Sequence, residues 1–181
     1  MKKFIFFIVM LGAFSILSLK VSAQGASSNH NLLMGIPEVC LLTAPSANIS
    51  LILTTSTAGT AISGGTGFGY TQISSIVSAS ELRTITALVT GVPAGTSLAV
   101  TTEVPTNANK AGILGTGTTN VNLSGTAANL VTEIGSCYTG VAADDGYKLT
   151  YLWNAGTSGN YGTIVATAGA SAVVVLTVTN Q

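Results

Sequence analysis

The chain has 181 residues, six basic and six acidic, with 47% hydrophobic side chains, one histidine and two cysteines. That length suits one domain, and beyond residue 23 its only cations are Arg83, Lys110 and Lys148. They are too few and too scattered for the basic stripe that nucleic acid requires. A lone imidazole, His30, excludes most acid–base and histidine–metal chemistry, and no cofactor is expected.

Residues 1–23 have the build of a secretory signal peptide. Lys2 and Lys3 lead, residues 4–19 are apolar, and Val21-Ser22-Ala23 supplies small residues for cleavage. An uncleaved anchor is the competing reading, because the apolar run approaches the roughly 20 residues that span a bilayer. The polar stretch 24–31 favours cleavage. The expected product is one domain, residues 24–181, with no further membrane span, secreted or held at the cell surface or in a periplasm.

Export permits disulfides. Cys40 and Cys137 are the only pair. A bridge between them would close a loop long enough to be worth about 4–5 kcal/mol in the chain-entropy picture. Two buried free thiols, or a link between chains, are the alternatives. Without histidine partners the pair is not a zinc site.

In the rest of the chain helical periodicity is nearly absent. Turn-forming residues recur every eight to twelve positions, the spacing of an all-β protein, and the expectation is a single antiparallel β-sandwich. Residues 32–42 form an extended apolar segment in which Pro37 points to an edge or a bulge. Leu32, Leu33, Met34, Ile36 and Val39 could add as a strand to a neighbour's open edge, the β-augmentation mode. They could equally begin the first strand of their own sandwich, which is the favoured reading. Further strands are expected at 49–54, 70–77, 83–90, 97–104, 121–123, 130–134, 147–153, 164–167 and 172–179, with loops at 56–69 and 106–120. Ile85, Ala87 and Val89 share one face, as do Leu98, Val100, Thr102 and Val104. The last strand is apolar on both faces, which suggests a central position or a cover supplied by a partner, the former favoured.

The chemistry-bearing motifs are sparse. Gly64-Gly65-Thr66-Gly67-Phe68-Gly69 lacks the helix and lysine of a phosphate loop, and reads as turn glycines with positive φ. Asp144-Asp145-Gly146 offers calcium too few oxygens and reads as a turn. A glycosidase would need two carboxylates gathered in a cleft, which nothing in the pattern provides. No catalytic or metal-binding residue is assigned. Tyr138, Tyr147, Tyr151, Trp153 and Tyr161 cluster late in the chain. Alternate members suit a core, while Trp153, Tyr151 and Tyr161 are the candidates for a ligand or interface surface. Asn48-Ile49-Ser50 and Asn122-Leu123-Ser124 match the glycosylation triplet, a common chance pattern in such a composition.

The blocks Met34-Gly35-Ile36-Pro37-Glu38-Val39, Arg83-Thr84-Ile85-Thr86, Val92-Pro93-Ala94-Gly95-Thr96-Ser97-Leu98, Ile134-Gly135-Ser136-Cys137-Tyr138-Thr139-Gly140 and Leu176-Thr177-Val178-Thr179 resemble those of small secreted bacterial β-sandwich proteins, and more remotely spore coat protein U and pilin-like surface proteins. The resemblance implies an immunoglobulin-like or pilin-like sandwich with a surface or fibre role, and carries over no catalytic residue. Together these features lead to a secreted structural or adhesive protein, self-associating or bound to other surface proteins. The alternative is an extracellular carbohydrate-binding module with a glycan partner.

Overall fold

The computed structural model describes residues 25, 27–54, 57–156 and 160–181, so the leader expected at 1–23 lies outside the described residues. Contacts divide the chain into two units, Met1–Gly35 and Ile36–Gln181. In the first, the described residues have no regular secondary structure and are exposed. The second is all-β. Its nine strands are β1 (Val39–Thr43), β2 (Gly65–Ile76), β3 (Arg83–Thr90), β4 (Thr96–Glu103), β5 (Ala111–Gly117), β6 (Val121–Asn122), β7 (Ala128–Tyr138), β8 (Tyr147–Ala155) and β9 (Val173–Asn180). Among the described residues the only helical element is a 3₁₀ turn at Tyr161–Thr163.

All nine strands belong to one antiparallel sheet, ordered β6-β4-β8-β2-β7-β3-β9, with β1 also on β2 and β5 also on β7. The long strand β2 makes this continuity. Its first half, Gly65 to Thr71, pairs with β8, and its second half pairs with β1 and β7. On the far side Thr118 ties the two halves again: its carbonyl accepts from Thr102 N–H at 2.8 Å and its N–H donates to Leu130 at 2.9 Å. Both halves contribute to one core cluster. Ile85, Ala87, Val89, Leu130 and Ile134 from one half pack in the same cluster as Leu98, Val100, Leu149 and Tyr151 from the other.

The alternation expected in β3, β4 and β8 is realised. Ile85, Ala87 and Val89 are buried, as are Leu98, Val100 and Thr102, and as are Tyr147, Leu149 and Tyr151. Strands β3, β4, β8 and β9 form within a residue or two of their expected limits.

Four expectations change. The segment at 49–54 forms no strand; only Thr54 makes an isolated bridge, to Ser63. No strand forms at 164–167 either. Conversely, β5 forms inside the expected loop 106–120, where Gly112, Gly115 and Gly117 mask the alternation. The glycines 64–69 are not turn glycines of positive φ. Gly65, Gly67 and Gly69 lie in β2 on one face, and a side chain there would collide with the irregular segment that follows β1. A Cβ on Gly67 would stand 2.6 Å from Ile49 Cγ2 and 2.9 Å from Leu51 Cδ2, and one on Gly69 would stand 2.8 Å from Pro45 Cβ. The glycines thus open a trough that residues 45–52 fill, and Ile49 and Leu51 reach the core through it.

Candidate functional site

Four strands, β1, β5, β6 and β9, pair along one edge only among the described residues, and two of these, β1 and β9, meet. Strand β1 pairs only with β2, and β9 only with β3. They come together at one end through Arg83, the only arginine in the chain. Arg83 is 4% exposed. Its Nη1 donates to the Val39 carbonyl of β1 and, at 3.1 Å, to Ser75 Oγ of β2, while its Nε donates to Asn180 Oδ1 of β9 at 3.3 Å. Glu38, half-exposed, completes the cluster at 3.5 Å from Nη2 and accepts from Ser78 Oγ. A buried guanidinium needs such partners, because an unpaired charge in a core is strongly destabilising.

Beyond the end of β1, the irregular segment and β9 border a cavity of about 420 Å³. Its walls include Val174 and Leu176 of β9, Ile49 and Leu51 of the irregular segment, and Leu98, Tyr151 and Trp153 beneath. The lining is mostly apolar. Trp153 Nε1 is buried without a hydrogen-bond partner among the described residues. Strand β9 is therefore an edge strand and not the central one favoured from its composition. Its inward residues Val174, Leu176 and Val178 pack on the core, while Val173 and Val175 remain 56% and 44% exposed.

The segment expected to act as a first strand is divided. Only its end, from Val39, pairs as β1. Leu32, Leu33, Met34 and Ile36 are unpaired, with exposures of 76%, 103%, 84% and 85%. Pro37, which cannot donate to a ladder, stands just before the paired part.

The three candidate aromatics do not form one surface. Tyr151 is 5% exposed and belongs to the core, Trp153 is half-buried in the cavity wall, and Tyr161 is 38% exposed in the 3₁₀ turn, its hydroxyl accepting from Ile62 N–H at 3.2 Å. Burial pushes the Tyr151 hydroxyl up to about 12.

Cys40 and Cys137 are both free, the first exposed and the second buried. The expected bridge between them is not made, and the register explains why. Cys40 is opposite Ser75 on one side and Cys137 is opposite Ser75 on the other, so a whole strand separates them. Two interstrand spacings put their Cα atoms about 10 Å apart, beyond the reach of a disulfide. Burial pushes the Cys137 thiol up to about 11, partly offset by the nearby Arg83 charge.

The acidic turn is structural. Asp145, 3% exposed, accepts from Ala142 N–H at 2.8 Å and from the amides of Asn107 and Asn109, and these bonds, the Ala142 one foremost, hold its carboxyl below the usual range. Among the described residues no three of His, Cys, Asp and Glu come together. No protein-family model, curated protein or solved structure matches the chain.

The irregular segment, Arg83 and the outward pair Phe68 and Tyr70 were not singled out by pattern. Arg83 alone had a readable signal, a sole guanidinium opening an apolar strand.

Proposed function

We propose that this chain is an exported, non-catalytic structural or adhesive surface protein whose copies join by strand addition. In this reading the folded-over sheet is an immunoglobulin-like or pilin-like sandwich, and the open edge of β9 receives residues 32–36 of the next copy. The observation that carries it is the bare edge of β9 beside an apolar cavity, in a chain that also exposes Leu32, Leu33, Met34 and Ile36. An added strand pairs its backbone with β9 and places alternate side chains inward, so Leu32, Met34 and Ile36 would enter together. Each such side chain buried is worth about 1.5–3 kcal/mol before ordering costs. The scarcity of charge lets copies approach without repulsion.

Size-exclusion chromatography of the chain with residues 24–36 deleted tests this. The deletion spares β1 and Glu38. Loss of oligomers with an unchanged melting temperature is the expected result, and a peptide covering residues 30–37 should then bind the shortened protein. Oligomers that survive the deletion would overturn the reading.

The carbohydrate alternative built on Trp153, Tyr151 and Tyr161 is less well supported, because Tyr151 is interior and Trp153 only partly open.

A further inference from the structure

The outward face of β2, β8 and β4 carries a feature independent of the β9 edge. In register across these strands lie two rows, Phe68–Thr150–Thr101 and Tyr70–Lys148–Glu103. Residues paired this way share a face, and it is the face opposite Leu149 and Tyr151 of the core. Phe68 is 58% exposed. Its ring meets Tyr70 edge to face, 6.0 Å between centroids at 85°, and Lys148 Nζ lies 5.5 Å from its centroid. Lys148 also bonds both oxygens of Glu103, at 3.3 and 3.4 Å. Thr101 Oγ1 accepts from Asn120 N–H at 3.0 Å, which leaves its own hydrogen to donate outward.

We propose that this face binds a neutral polysaccharide, with a pyranose ring stacked on Phe68 and its hydroxyls bonded to Glu103 and Lys148. The ring offers a π face to the weakly positive C–H groups of a sugar, and Tyr70 and Lys148 hold it in one orientation, so little freedom is lost on binding. The ammonium and carboxylate neutralise each other, so the patch has no net charge with which to select an ion. Together they offer a donor and an acceptor, the pair that a sugar hydroxyl satisfies. An apolar protein surface laid on the same face would strip water from this ion pair without replacing its hydrogen bonds, which is costly; hydroxyls replace them.

Affinity electrophoresis in native gels containing hydroxyethylcellulose, laminarin, mannan or dextran tests the assignment. At least one should retard the chain. Phe68→Leu, which keeps apolar area but removes the π face, should weaken that retardation by about tenfold at an unchanged melting temperature, and Phe68→Trp should retain it. Absence of retardation in every gel, or equal retardation of the leucine variant, overturns the proposal. So does retardation confined to polygalacturonate and lost in raised salt, which would mark simple ion exchange. A change in oligomeric state on Phe68→Leu, without polysaccharide present, would show a protein interface instead and also overturn it.

Discussion

The backbone of Ile52 occupies the space where a side chain on Gly65 would stand: a Cβ there would lie 2.7 Å from Ile52 N and closer still to its carbonyl oxygen. Two positions along β2, the nearest obstacles at Gly67 are the methyl ends of Ile49 and Leu51, with the Ser50 carbonyl oxygen farther off at 3.4 Å. The two glycines therefore differ in what must yield. Gly65→Ala should destabilise by about 1–3 kcal/mol, because main chain has to move, and Gly67→Ala by less, because side-chain ends can shift. Urea denaturation of both variants checks the order. Equal costs would mean that the irregular segment does not rest in the trough.

Arg83 joins β1, β2 and β9 from β3 with its partners fixed on three sides. Arg83→Met should cost about 2–4 kcal/mol, since several charge-assisted bonds disappear and the Val39 carbonyl loses its donor. Arg83→Lys should recover less than half, because an ammonium cannot span the same fork. Glu38→Gln should cost under about 1 kcal/mol, its side chain being 47% exposed. Hydrogen exchange should show β1 losing protection first in the methionine variant.

The two thiols should behave differently toward iodoacetamide. Cys40, exposed, should be alkylated in the native protein, while Cys137, buried and with its pKa pushed up to about 11, should react only after unfolding. Mass spectrometry should find one label in the native state and two in denaturant. A raised thiol pKa also sets a direction for stability. The contribution is intact below the unfolded value of 9.0 and is lost as pH climbs from there toward 11, where the unfolded chain ionises first. Cys137→Ala should flatten that alkaline decline.

Asp145 gives the opposite dependence. Its folded pKa is depressed, so its stabilisation is present above the unfolded value of 3.8 and disappears as pH falls through the lower folded value. Asp145→Asn should lower the melting temperature at neutral pH, because an amide turned toward Ala142 N–H and two asparagine amides has one acceptor where a carboxylate has two. The gap between variant and native protein should close on acidification below 3.8. A gap constant with pH would remove the carboxylate's charge from the account.

The parts of the fold legible in the sequence are those where side-chain alternation alone decides the strand, as in β3, with Ile85, Ala87 and Val89 turned inward. Where glycine takes strand positions, alternation vanishes from the letters while the strand persists, which hid β5 and the first half of β2. The reverse holds at residues 49–54, where Ile49 and Leu51 read as a strand but are needed as side chains in a trough. That exchange depends on a partner distant in sequence. The candidate site was partly visible for the same reason: the apolar N-terminal run could be read directly, whereas the edge position of β9 depends on strand order, which no local pattern encodes.

The Arg83 cluster has a mechanical corollary. In a chain of copies joined through residues 32–36, tension would enter each subunit at the start of β1, beside the guanidinium that grips the Val39 carbonyl. Pulled along its own axis, β1 would strain its rungs to β2 in parallel with that grip, and all must rupture together instead of opening one at a time. A filament so made would resist stretching far better than it resists peeling from the side.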